Sequence, residues 1–293
     1  MKVLVLGAYG MLGHKLLQEL SNDFDTLGTC RKVRLDVWSR LVPSDKLVED
    51  VDAEDFPSVD RALTKTKPDV VVNCIGIVKQ LEAGKDPIRS ITVNSLFPHH
   101  LAKACNRHGA RLVHFSTDCV FSGKKGMYRA DDYPDAEDLY GRTKFLGELT
   151  EKHTMTIRSS IIGRELGSSN GLVEWFLRQR GKKVKGYANA IYTGLTTIEM
   201  SKVVKDVIGK HKDLHGIWQV ASEPISKFDL LGLINSELRL GVDLEKDTTV
   251  AVDRSLDGSE FEKRTGYKAP SWKSMIRELA EDSKSYDTLA GKG

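Results

Sequence analysis

Cysteine is scarce in this 293-residue chain: Cys30, Cys74, Cys105 and Cys119 are the only four, and no two stand in C-x-x-C spacing. Neither a disulfide framework nor a zinc site is expected from that pattern. Long apolar runs are missing too. The stretch Val3–Leu6 ends at Gly7, too short for a signal-peptide core or a membrane span, so a cytoplasmic protein with no membrane partner is expected. Charge of one sign is not in excess: 44 Lys and Arg stand against 41 Asp and Glu, a net of +3. That balance predicts no nucleic-acid partner and restricts any site for a polyanion to a local cluster. Eight histidines occur without H-E-x-x-H or any other metal-ligand spacing, so no metal site is expected.

What is present is ordinary globular composition, 40% hydrophobic and 29% charged, enough to close a large core. The length suits one large domain or a domain with a dependent lobe. Short apolar runs bounded by turn residues, Val3–Leu6, Thr26–Thr29, Val70–Val72 and Arg111–Phe115, alternate with helical stretches such as Met11–Leu20 and the one carrying Leu96, Leu101 and Ala104. Strands of that kind, covered on both faces, predict an α/β fold: a Rossmann-type doubly wound parallel sheet with a smaller α+β C-terminal lobe. The division expected is 1–163 for dinucleotide binding and 164–293 mainly for substrate. Segments of about 190–221 return to the first part. Beyond 163 the rhythm loosens, with helices near 171–180, 196–209 and 226–238. The last dozen residues, rich in Ser, Lys, Asp and Gly, read as frayed.

Gly7-Ala8-Tyr9-Gly10-Met11-Leu12-Gly13 is a G-x-x-G-x-x-G loop between the first strand and the first helix. Glycines there let backbone N–H groups approach a pyrophosphate, which the positive helix end stabilises. Gly7, Tyr9, Gly10, Met11, Leu12 and Gly13 are therefore candidate cofactor residues. At the end of the second strand, where an acid would bond the ribose hydroxyls of NAD(H), stand Arg31 and Lys32. Two cations suit the 2′-phosphate of NADP(H), which is preferred over NAD(H). Asp52 has two readings, a partner for the adenine amino group or an exposed loop acid.

Tyr140-Gly141-Arg142-Thr143-Lys144 is Y-x-x-x-K, whose i, i+4 spacing sets both side chains on one helix face. A nearby ammonium favours the phenolate, so Lys144 is expected to lower the Tyr140 pKa and allow proton transfer near neutrality. Ser116 and Thr117 end an apolar strand, where parallel sheets carry their ligands. Either hydroxyl is a candidate to hold a substrate carbonyl while Tyr140 protonates its oxygen.

These three segments, with Ser116-Thr117-Asp118-Cys119-Val120-Phe121-Ser122-Gly123 and Phe145-Leu146-Gly147-Glu148 beside them, resemble the extended short-chain dehydrogenase/reductase superfamily and, within it, dTDP-4-dehydrorhamnose reductases. The resemblance is carried by residues 1–165. It implies Thr117, Tyr140 and Lys144 as catalytic residues, with Ser116 assisting and Lys144 also anchoring the nicotinamide ribose. It adds Asn94 as the structural asparagine of a proton relay, a position that also reads as a capping residue ahead of Pro98. Cys74-Ile75-Gly76 replaces the alanine-rich cofactor turn of those reductases, and Cys119 replaces an aromatic residue. The lobe's cations Arg178 and Arg180, with Arg254, are the implied contacts to a nucleotide-sugar, and helices near 93–106 and 137–152 would form a homodimer. The expected function is NADPH-dependent reduction of a 4-keto-6-deoxy nucleotide-sugar. A nucleotide-sugar epimerase or dehydratase with an internal redox cycle and a non-catalytic NADP-binding regulatory subunit are the competing readings.

Overall fold

The computed structural model describes residues 1–34 and 36–289. Its strands are β1 (Lys2–Leu6), β2 (Asp25–Thr29), β3 (Leu47–Val48), β4 (Val70–Asn73), β5 (Arg111–Phe115), β6 (Thr154–Arg158), β7 (Ile161–Ile162), β8 (Lys183–Tyr192), β9 (Leu195–Thr196), β10 (Gly216–Gln219), β11 (Ile225–Ser226) and β12 (Asp243–Asp253). Its helices are α1 (Met11–Leu20), α2 (Phe56–Thr66), α3 (Pro87–Ile91), α4 (Phe97–Arg107), α5 (Leu139–Leu146), α6 (Leu172–Leu177), α7 (Thr197–Lys210), α8 (Lys227–Glu237), α9 (Ser259–Thr265) and α10 (Trp272–Leu289). A π-helical turn, Thr92–Leu96, joins α3 to α4.

Among the described residues, seven strands form one sheet in the order β10-β6-β5-β4-β1-β2-β3, and every pair is parallel. The apolar runs divide by parity, since successive strand residues face opposite sides. Val3 and Val5 of β1 meet Leu12, Leu16 and Leu20 of α1 and Val203 and Val207 of α7. Leu4 and Leu6 meet Val59 and Leu63 of α2 and Phe97 and Leu101 of α4. Burial on both faces explains why these strands read as continuous apolar runs. The chain order reverses between β1 and β4, and ligands of open parallel sheets bind at such a switch point, beyond the C-terminal strand ends.

The second half of the chain is more ordered than its sequence suggests. A three-stranded sheet, β11-β8-β12, is built on the ten residues of β8 and the eleven of β12. Much of β12 is exposed, and its Asp-Leu-Glu-Lys-Asp-Thr-Thr start carries no apolar stripe that would mark it as a strand. Two pieces of this half join the main sheet's layer: β10 pairs with β6, and α7 packs on α1. The C-terminus departs from the frayed segment expected. α10 continues to Leu289, with Ser283 and Tyr286 buried; residues 290–293 lie outside the described region.

One buried ion pair fastens the main sheet to α5. Arg158, at the end of β6, donates from Nε to Glu148 Oε1 and from Nη2 to Oε2, each at 2.7 Å, and the two side chains are 2% and 3% exposed. Ser116 Oγ, at the end of β5, donates to the same Oε1 at 2.6 Å. Arg158 also donates to the Ala130 carbonyl at 3.1 Å and stacks over Phe121. Removing one member of such a pair leaves a buried charge unmatched, so Arg158→Met should cost about 3–5 kcal/mol of folding free energy. Combining it with Glu148→Gln should recover part of that loss, and urea unfolding of the two variants measures both.

Candidate active site

The glycine loop is shaped by distances that leave no room for side chains. Gly7 adopts a φ of +83°, and a Cβ on Gly13 would lie 2.1 Å from the Gly7 carbonyl oxygen, so α1 can rise directly off β1 only with glycine there. Gly10 caps α1 without a side-chain hydrogen bond. The first-turn N–H groups are thus left without an internal side-chain acceptor, the arrangement that receives a phosphate. Tyr9 O–H accepts from Arg34 N–H at 2.9 Å and its ring lies under the Arg34 guanidinium at 5.3 Å. Arg34 is a third cation near the end of β2 that the sequence reading missed, three residues beyond Arg31. Arg31 and Lys32 are exposed. Asp52 accepts from the Glu54 N–H at 2.9 Å, an Asx turn that occupies one carboxylate oxygen ahead of α2. Ile75 packs on Gly7, and the Cys74 N–H donates to the Leu6 carbonyl at 3.1 Å, so the turn after β4 lies against the glycine loop. This glycine cradle and uncapped helix end fit a dinucleotide.

Asn94 sits in the π-helical turn, 1% exposed. Its Nδ2 donates to the Ile77 carbonyl at 2.9 Å and its Oδ1 accepts the Ile77 N–H at 2.8 Å. The side chain therefore holds the Cys74–Ile77 turn rather than capping α4. Gly76 lies 3.4 Å from Asn94 Oδ1 and 3.9 Å from Lys144 Nζ, counted from the position a Cβ would take.

Helix α5 starts at the Asp138 cap, whose carboxylate accepts the Gly141 N–H at 2.8 Å. A Cβ at Gly141 would fall 2.2 Å from the Cys119 carbonyl oxygen, so glycine is what lets α5 press its first turn, with Tyr140, against the Thr117–Val120 turn. Lys144, one turn on, is buried and donates from Nζ to the Phe115 carbonyl at 2.6 Å. Burial lowers its pKa to about 8 against the opposing pull of Glu148 and Cys74. Thr117 Oγ1 donates to Asp118 Oδ1 at 3.0 Å and accepts the Cys119 N–H at 3.1 Å.

Two expectations need correcting here. Lys144 does not set the Tyr140 pKa in this state: burial raises it first, neighbouring Cys119, Asp118 and Asp138 act in the same sense, and the Thr117 hydroxyl opposes them. The ammonium is turned to the Phe115 carbonyl instead. Ser116 donates its proton to Glu148 in this structure, and Thr117 is the hydroxyl that bonds Tyr140. Cys119, the departure from an aromatic residue, is a half-buried thiol whose pKa is pushed up to about 12 by desolvation, with Asp118 raising it and Lys79 and Arg254 lowering it.

Arg254 bonds that turn, and Lys79 and Lys227 act on it electrostatically. Arg254 donates from Nε to the Phe121 carbonyl at 2.9 Å, and its own N–H is held by the Ile191 carbonyl at 3.0 Å. Lys227, at the start of α8, has its pKa lowered first by burial and then by Lys79, with Asp118, Cys119 and Arg254 also acting on it. Lys79 and Lys227 were not foreseen; they come from segments 148 residues apart, as their numbers show.

A family model described as RmlD substrate binding domain matches residues 1–285. The chain belongs to that family. RmlD-family chains are of the extended short-chain dehydrogenase/reductase type, as the motifs imply. A probable dTDP-4,6-dihydroxy-2-methyloxan-3-one 4-ketoreductase of Streptomyces antibioticus is 30% identical over 236 residues, which is 74% of this chain and 70% of that protein. The spore coat polysaccharide biosynthesis protein SpsK of Bacillus subtilis is 32% identical over 57% of this chain, which spans only 56% of SpsK. The crystal structure of dTDP-4-dehydrorhamnose reductase from Bacillus anthracis in complex with NADP has the same fold, with a TM-score of 0.79 at 20% identity over 96% of this chain and 99% of that one.

Within this RmlD-family fold, the basic run near 178–185 is not brought to the site. Arg180 donates to the Arg239 carbonyl at 3.1 Å, beyond the C-terminal end of α8, whereas Lys227 begins that helix; its 11 residues put about 16 Å between the two ends. Lys183 pairs with Glu245 at 2.6 Å at the start of β8, and the end of β8 is what meets Arg254. Arg178 is exposed just past α6. These cations alternate along a strand and its lead-in, which is why they cluster in sequence and disperse in space. Among the described residues, no group of three His, Cys, Asp or Glu side chains could hold a metal ion, and no helix is long and apolar enough to cross a membrane. Gly13→Ala should abolish dinucleotide binding, because its methyl would collide with the Gly7 carbonyl; NADPH fluorescence titration checks this.

Proposed function

We propose that this chain reduces the keto carbon of a 4-keto-6-deoxy nucleotide-sugar with NADPH. The observation that carries the reading is the close approach of α5 to the Thr117 turn through Gly141, with Tyr140 bonded to Thr117 and Lys144 near Gly76, in the turn that lies against the glycine loop. The names of the relatives, a sugar ketoreductase among them, support the substrate class. Arg31 and Lys32, with no acid in their place, support NADP(H) over NAD(H).

Gly7, Gly10, Met11 and Gly13 would hold the pyrophosphate, and Lys144 has two further N–H donors for the nicotinamide ribose beyond the one given to Phe115. Bound there, the reduced nicotinamide supplies hydride to the keto carbon. Thr117 turns its O–H from Asp118 to the keto oxygen and polarises it. Tyr140 then protonates that oxygen as negative charge develops. A phenol whose pKa burial has raised keeps its proton at neutral pH, which suits an acid rather than a base. Lys144, with a pKa of about 8, is matched to return a proton to the phenolate near neutrality. The cations Lys79, Lys227 and Arg254 would face the nucleotide-sugar's diphosphate.

Tyr140→Phe should abolish NADPH oxidation by a panel of 4-keto nucleotide-sugars while leaving the Kd for NADPH nearly unchanged; full activity in that variant rejects the reading. Net NADPH consumption separates reduction from an epimerase or dehydratase cycle, which would turn over substrate with none. The ammonium of Lys144 is present below its folded pKa and lost above it, so kcat/KM for reduction should fall as pH rises through about 8. A profile flat from pH 7 to pH 9, a window set by reference to ordinary side-chain pKa values of roughly 10 for Tyr and Lys, would contradict that role for Lys144.

A further inference from the structure

We propose that Tyr286, near the end of the chain, is a positioning residue for the dinucleotide: acting through His14, it fixes the peptide that presents the first N–H of α1. The inference rests on the cofactor reading above and adds to it a residue 276 positions from Gly10 in the sequence.

The argument starts at the Gly10 carbonyl. It accepts two hydrogen bonds from one residue, the His14 main-chain N–H at 3.1 Å and His14 Nδ1 at 2.8 Å. A carbonyl only accepts, so Nδ1 must carry the ring hydrogen and Nε2 must be the acceptor. Tyr286 supplies the matching donor, its O–H lying 2.6 Å from Nε2. Both rings are wholly buried, and burial holds His14 neutral by lowering its pKa to about 4. The imidazole is therefore locked in one tautomer and one orientation.

That lock acts on the loop because the peptide unit is planar. The Gly10 carbonyl and the Met11 N–H belong to the same plane and point in opposite directions. Holding the carbonyl toward His14 aims the Met11 N–H away from it, at the open end of α1 where the pyrophosphate would sit.

Tyr286 is itself held from several elements. The Arg164 guanidinium lies 4.8 Å from its ring centroid, Lys15 Nζ lies 5.5 Å away, and Trp38 packs at 6.3 Å. Lys15 pairs with Asp282 at 2.7 Å, tying α10 to α1 a second time. Arg164 bonds Glu174 of α6 at 2.5 Å, Asp287 at 3.2 Å and the Ser283 carbonyl at 3.1 Å. The hydroxyl is the one part of Tyr286 that packing does not require. Phenylalanine would fill the same space and leave His14 Nε2 buried without a partner.

The test is a double-mutant cycle on NADPH affinity, read by nicotinamide fluorescence, with thermal melts of the dinucleotide-free protein alongside. Tyr286→Phe should raise the Kd for NADPH about five- to tenfold, the factor expected for one buried hydrogen bond. His14→Leu should raise it at least as far, and adding Tyr286→Phe to His14→Leu should do nothing more, because the hydroxyl acts through the imidazole. His14→Gln, whose amide offers both a donor and an acceptor, should keep more affinity than His14→Leu. An unchanged Kd in Tyr286→Phe with a lowered melting temperature would show a merely structural contact and overturn the proposal, as would additive losses in the double variant. Wild-type protein that bound neither NADPH nor NADH would instead overturn the cofactor reading, and this inference with it.

Discussion

The carboxylate of Glu148 is the constraint on which both the fold and the site depend. It lies in a buried position, accepts from Ser116 and twice from Arg158, and so joins the ends of β5 and β6 to the chain just past α5. The bidentate arginine supplies the opposite charge and two of the hydrogen bonds that a buried carboxylate requires. The same carboxylate acts on Lys144. Burial pulls the pKa of this lysine down, and Glu148 is the largest influence opposing it. The value near 8 is thus a balance between a desolvated pocket and the carboxylate that Arg158 and Ser116 hold in place. The interaction that ties α5 down also sets the state in which its lysine works.

Close approach is the second shared device. Gly13 lets α1 leave β1 at once, and Gly141 lets α5 touch the Thr117 turn; a Cβ at either would overlap a carbonyl oxygen. Gly147 does the same at the other end of α5, where a Cβ would meet the Asn94 carbonyl oxygen at 1.9 Å. The helix carrying Tyr140 and Lys144 is therefore wedged between the π-helical turn and the β5 end, with little freedom to slide. Pre-set geometry of this kind is what proton transfer needs, since a misplaced acid loses most of its effect.

The main sheet was legible because its strands are buried on both faces and its glycines occur where only glycine fits. Those are local signals: Val3–Leu6 announces a parallel strand by composition, and Gly7 to Gly13 announce a strand-to-helix turn by spacing. Tyr140 and Lys144 were legible for the same reason, four residues apart on one helix. The assignment of Ser116 failed on something no spacing shows, that its proton goes to an acid 32 residues away. The expected depression of the Tyr140 pKa failed similarly. The i, i+4 rule places two side chains on one face but says nothing of the Phe115 carbonyl that takes the lysine, nor of the desolvation that acts on the phenol.

Charge shows where sequence proximity misleads. Arg178, Arg180 and Lys183 look like one site because they fall within six residues, yet a strand sends neighbours to opposite faces and runs about 3.3 Å per residue, so β8 carries its first cation far from its last residue. Lys183 is then neutralised by Glu245 on the adjacent strand. Lys79, Lys227 and Arg254 look unrelated in sequence, and the topology gathers them: one follows β4, one begins α8, and one closes β12. All act on Asp118 or Cys119, or on one another. A net charge of +3 is compatible with either arrangement. The path of β8 distinguishes them: its start carries Lys183 beside Glu245, and its end meets Arg254.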